Sequence, residues 1–167
     1  VFESLRPSVA KIAAQTGYNI LLVENEHVVH NDETLPNFLI LARDNGLAPT
    51  VTVLVPERPF VSRMLDAGAL GICLSHAEEP EQVEALVRWM KYAPVGERGL
   101  ALGANVDYAG SDVARYCREA NEATLVIAAT PTNEGVKPHA GQIKITGIAC
   151  DPLCGFGGKR YGAAHHL

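Results

Sequence analysis

The sequence lacks any basic run: nowhere do more than two Lys or Arg stand side by side, and the net charge is −5. A polyanion partner needs a positive footprint, so nucleic acid is not an expected ligand. No apolar run approaches the about 18 residues of a membrane span, and no signal-peptide pattern opens the chain, so a cytoplasmic protein without a membrane partner is expected. Paired cysteine spacing is also missing. Cys150 and Cys154 form a lone C-x3-C, a weak zinc signal, while Cys73 and Cys117 stand apart; idle cytosolic thiols are expected. There is no G-x-S-x-G elbow and no C-x-x-C. The glycine-rich Gly155–Arg160 stretch lacks the frame and the preceding strand of a phosphate loop.

What remains is a chain of 167 residues, 47% hydrophobic and 20% charged, enough for one globular core. Ser8 caps a helix over Ser8–Thr16 that Gly17 ends. Tyr18–Val23 reads as a buried strand. Thr34 caps the next helix, with Leu35, Phe38, Leu39 and Ala42 inward and Gly46 near its end. Thr50–Val55 is β-branched and strand-like. Pro59–Ala67 is a short helix closed by Gly68, and Leu70–Leu74 a strand. Glu79–Tyr92 carries Val83, Leu86, Val87 and Met90 at helical spacing. Ser111 caps a helix with Val113, Tyr116, Cys117 and Ala120, and Thr124–Ala129 is a strand. Strands alternating with amphipathic helices predict an α/β fold with a parallel sheet, whose chemistry lies at the carboxyl ends of the strands. From Pro131 the periodicity fades and glycines break the chain. Residues 1–130 are therefore expected to form the folded unit, and 131–167 a diverged, Gly-rich tail in which only Gln142–Ile148 reads as a strand.

The strand at Val23 runs into Glu24, Glu26 and His27. His27 with carboxylate neighbours can be a general base, the trio can serve a metal or its waters, or the loop can simply be solvated. His30 reads as a loop histidine. His76 follows the Leu70–Leu74 strand. Asp66 ends a helix against the macrodipole, which calls for compensation. Arg98, in the turn-rich YAPVGERG loop, can grip a carboxylate or phosphate, or pair with Glu97 or another neighbour.

The strand ending in Glu-x-Glu-His, the Leu-Asp-Ala-Gly-Ala element and the Tyr-x-Pro-x-Gly-x-Arg-Gly loop, in that order, resemble the HpcH/HpaI aldolase family over about residues 8 to 129. The resemblance implies a (β/α)8 TIM-barrel fold, here an incomplete barrel of about four to five βα units from a partial or diverged member. It implies a lyase that makes or breaks carbon–carbon bonds next to pyruvate, with a divalent Mg, Mn or Co ion to stabilise the enolate. Oxaloacetate decarboxylation and a non-catalytic remnant are the alternatives. By resemblance His27 is the base, with Glu26 and Glu24 the acids before it and Asp66 an acid that organises the site. Arg98 and His76 are the substrate-binding candidates, and Glu134 and Asp151 the nearest matches to the metal carboxylates. Leu54 stands where the family has an arginine for the substrate carboxylate. Expected partners are a keto acid, an aldehyde and further copies of the chain in a homo-oligomer.

Overall fold

The computed structural model describes residues 4–109 and 112–129. Four strands, β1 (Ile20–Val23), β2 (Ala48–Val53), β3 (Gly71–Leu74) and β4 (Leu125–Ala128), form one parallel sheet in the order β1-β2-β3-β4. Sequence order and spatial order coincide, as in an arc of barrel wall. Helices α1 (Pro7–Gln15), α2 (Thr34–Asp44), α3 (Arg58–Asp66), α4 (Pro80–Met90) and α5 (Val113–Ala123) alternate with the strands, and a short 3-10 turn spans Ala104–Val106. No helix among the described residues is long and apolar enough to cross a membrane.

Strand alternation divides the side chains between two faces. Leu21, Val23, Val51, Val53, Ile72, Leu74 and Val126 meet Phe38, Leu39, Val61, Leu65, Leu86 and Met90 from the helices, and together form the hydrophobic core. On the other face Leu22, Thr50, Gly71 and Leu125 lie in register across all four strands. Thr52, Cys73 and Ile127 form the next row. Gly71 belongs there because a Cβ would come within 2.7 Å of Thr50 Oγ1 and 3.0 Å of Leu125 Cβ. Thr50 Oγ1 is buried there with no hydrogen-bond partner among the described residues.

The expected elements are all present within the described residues, with corrected ends. Helix α1 begins on Pro7 after Arg6, so Ser8 is inside it rather than its cap; proline's fixed φ suits the first position. Thr34 is also helical, and the start of α2 is held instead by Asn31 Oδ1, which accepts from Glu33 N at 3.1 Å and Thr34 N at 2.6 Å. Strand β1 starts at Ile20 rather than Tyr18, and β2 stops at Val53, leaving Leu54 and Val55 exposed. Its neighbour β3 ends opposite Val53, so the ladder has nothing further to pair. Helix α4 stops at Met90 because Lys91 turns extended. Asp112, whose carboxylate accepts from Arg115 N at 3.1 Å, caps α5; Ser111 lies outside the described residues. Gln142–Ile148, Cys150, Cys154 and the rest of the glycine-rich tail also lie outside them.

Candidate functional site at the carboxyl edge of the sheet

Beyond Val23 the chain needs partners for the backbone groups of its turn. Glu24 provides them: its Oε1 accepts from Glu26 N at 2.6 Å, from His27 N at 3.1 Å and from Thr52 Oγ1 at 3.3 Å. Thr52 Oγ1 in turn accepts from Asn25 N at 2.7 Å. Burial alone would raise the Glu24 carboxyl, but the two backbone donors and the Thr52 hydroxyl outweigh it and hold it below the usual carboxylate value. Glu24 is thus an ionised, buried brace for the loop. His30 closes the same loop with its Nε2 2.7 Å from the Glu24 carbonyl; a carbonyl only accepts, so His30 Nε2 donates.

Glu26 gathers the titratable groups. Its Oε1 lies 2.8 Å from His76 Nε2, just beyond β3, and 3.5 Å from His27 Nε2. Hydrogen bonds from Ser75 and from His76 hold the Glu26 carboxyl below its ordinary value against desolvation, with the neighbouring histidines adding to the effect. Its side chain is only 10% exposed, whereas those of His76 and His27 are 45% and 77% exposed. Cys73 is buried beneath; burial, then the charges of Glu24 and Glu26, push its thiol up to about 11. An ionised acid flanked by two accessible imidazoles can accept, hold and return a proton.

Asp66 and Arg98 are brought together, but not with this group. Asp66 ends α3, and helices of a parallel α/β unit finish where the strands begin, at the opposite edge of the sheet. Arg98 Nη2 lies 2.8 Å from Asp66 Oδ1, and its guanidinium stacks 4.6 Å from the centre of the Tyr92 ring. The cation at the end of α3 is the compensation that Asp66 requires. Tyr92 meets Tyr116 edge-on at 5.8 Å, and Lys91 Nζ donates to the carbonyls of Asn121 and Thr124 at 2.6 Å each. Arg43 similarly ties Ala104 O and Asp107 to the end of α2. Arg58, near the end of β2, turns to Glu97 O at 2.8 Å.

Among the described residues no group of three or more His, Cys, Asp or Glu is arranged to hold a metal ion. Glu24 Oε1 is taken by backbone N–H groups and Glu26 Oε1 by His76, so each carboxylate would have its second oxygen left to offer a divalent cation. Glu134 and Asp151 lie outside the described residues. Thr52 and Ser75 were not apparent from sequence as part of the site. Their one signal is position: a hydroxyl on the non-core face of β2, and another immediately after β3.

Comparison with known proteins is consistent in direction. The sequence profile described as HpcH/HpaI aldolase/citrate lyase matches residues 2–149. The chain is 31% identical over 137 residues to a hydroxypyruvate/pyruvate aldolase of Delftia acidovorans, covering 82% of this chain and 51% of that protein. It is 33% identical over 146 residues to a 4-hydroxy-2-oxovalerate aldolase of Novosphingobium aromaticivorans, covering 85% and 54%. Among solved structures, an HpcH/HpaI aldolase from Desulfitobacterium hafniense superposes with a TM-score of 0.73 at 26% identity, covering 76% of this chain and 49% of that one. The chain thus spans about half the length of the curated relatives it matches, and its four-stranded arc corresponds to an incomplete TIM barrel. With motifs, topology and sequence profile in agreement, the chain belongs to the HpcH/HpaI aldolase/citrate lyase family.

Proposed function

We propose that the chain carries the proton-handling part of a carbon–carbon lyase acting on 4-hydroxy-2-oxo acids, releasing pyruvate and an aldehyde. The observation that carries this is the Glu26 carboxylate, 10% exposed and shared between His27 and His76 at the carboxyl edge of a parallel sheet. The names of the relatives, aldolases of hydroxypyruvate/pyruvate and of 4-hydroxy-2-oxovalerate, support the substrate class. One of the two histidines takes the proton of the 4-hydroxyl group as the carbon–carbon bond opens. Glu24 keeps the loop in shape, and Glu26 orients an imidazole. Asp66 and Arg98 fix the opposite edge. The sequence expectation of a divalent ion remains part of the proposal, with no step assigned to it.

Incubating the chain with 4-hydroxy-2-oxovalerate, with and without Mn, and following pyruvate tests the reading. Pyruvate release above the uncatalysed rate is expected; none under either condition overturns it. A homo-oligomer is proposed alongside, because β1 and β4 each have a single strand neighbour among the described residues. Light scattering that returns only the 17.9 kDa monomer overturns that part.

A further inference from the structure

Strand β1 leaves its ladder with β2 at Val23, opposite Val51, so the N–H groups of Asn25, Glu26 and His27 need acceptors outside it. Glu24 Oε1 takes two of them, at 2.6 Å from Glu26 N and 3.1 Å from His27 N. The third, Asn25 N, donates to Thr52 Oγ1 on the neighbouring strand at 2.7 Å. That hydroxyl oxygen also lies 3.3 Å from Glu24 Oε1 and 3.5 Å from the Val23 carbonyl. A hydroxyl has one hydrogen to give, and an ionised carboxylate is the stronger acceptor of the two. Thr52 thus receives from the turn and donates to the acid that braces it, with Thr52 only 3% and Glu24 only 9% exposed. We propose that Thr52 is a positioning residue of the lyase site: acting through Glu24 and the Asn25 backbone, its hydroxyl fixes the turn that presents Glu26 and His27.

Thr50 makes the contrast. It stands on the same face of the same strand, one row further from the carboxyl edge, and its buried hydroxyl has no partner among the described residues. Burial on this face therefore does not by itself commit a threonine hydroxyl; at position 52 the turn does. The effect is one of aim. His27, the base that the family resemblance implies, has a side chain 77% exposed and 3.5 Å from Glu26 Oε1, so it takes its place mainly from the backbone of the turn. A turn cut loose from β2 keeps the same side chains but holds them in the productive geometry less often. Turnover then falls while substrate binding changes little.

This inference rests on the lyase reading, and two measurements separate their failures. Thr52→Val removes the hydroxyl at equal volume, Thr52→Ser keeps the hydroxyl without the methyl, and Thr50→Val is the control. In pyruvate release from 4-hydroxy-2-oxovalerate, Thr52→Val is expected to lower kcat about 10- to 100-fold with KM held within about threefold. Thr52→Ser is expected to recover kcat to within about threefold, and Thr50→Val to keep it within about twofold. Thr52→Ala takes the place of Thr52→Val, with the same expectation, if the valine variant does not fold. Hydrogen exchange at the Asn25 amide, followed by NMR, is expected to quicken about tenfold or more in Thr52→Val and to stay unchanged in Thr50→Val. Undiminished kcat in Thr52→Val, or an equal loss in Thr52→Ser or Thr50→Val, overturns the positioning role and leaves the lyase reading standing. An unaltered chain that releases no pyruvate, while its Asn25 amide still responds to Thr52→Val, overturns the lyase reading and the positioning role with it.

Discussion

A carboxylate oxygen that accepts two backbone N–H groups holds its loop more firmly ionised than protonated, and Glu24 is built that way. Its folded-state value lies below the ordinary 4.5, so its stabilisation is present above that value and is lost as pH falls through the lower, folded one. Glu24→Gln is expected to cost about 1–3 kcal/mol at pH 7, because buried N–H groups lose a charged acceptor. The difference between the two urea midpoints should shrink as pH is taken below 4.5. Arg98→Ala is expected to cost about 2–4 kcal/mol in the same assay. The lower half of that range is favoured because Asp66, at 30% exposure, stays partly hydrated when left alone. Arg98→Lys should recover little of it, since an ammonium stacks poorly on Tyr92. Both pairings escaped the sequence for one reason: the partners are 32 and 50 residues apart, and only the fold brings Arg98 to Asp66 and His76 to Glu26.

At the scale of the element, periodicity exposed every α-helix and strand among the described residues, but not the 3-10 turn Ala104–Val106, and pairing set their limits. Val55 is as β-branched as Val53, yet the first is exposed and the second buried, because β3 runs out opposite Val53. Likewise Ser8 and Thr34 look like caps, while a proline and Asn31 start those helices. Thr50 shows what a pattern hides, a buried hydroxyl inside a strand without a partner among the described residues. Thr50→Val is expected to be neutral or to stabilise by about 1 kcal/mol in thermal or urea unfolding, since it removes an unsatisfied polar atom at equal volume. Gly96→Ala should cost about 1–3 kcal/mol or more, because its methyl would overlap the carbonyl oxygens of Lys91 and Arg88. Lys91 holds the end of α5 and the start of β4 through two carbonyls, and burial, then Arg98, push its amine down to about 8. The unfolded chain then binds more protons than the folded one between about 8 and 10.5. Over that range the stability of the unaltered chain should rise relative to that of Lys91→Met.

For the molecule as a whole, the two edges of the sheet divide the work. The carboxyl edge carries exposed imidazoles on a braced loop, and the amino edge carries buried cations that lock helices to strands. Substitution at His76 or Glu26 should therefore change turnover with unfolding midpoints nearly constant. Arg98→Ala and Gly96→Ala should lower the midpoint and leave the turnover of the folded fraction intact. Measuring both quantities on all four variants checks this, and a turnover loss in folded Arg98→Ala would place that arginine in the substrate site after all.

The row Leu22, Thr50, Gly71 and Leu125 has a further consequence for how such a sequence drifts over time. Of the contacts a side chain at position 71 would make, the tightest is with the Thr50 hydroxyl, whose own loss is tolerable. Alanine at 71 is therefore best admitted after position 50 has shrunk, and is penalised before. The two positions are linked by history as well as by distance: with Leu125 still close to position 71, the same pair of changes is eased in one order and more obstructed in the other.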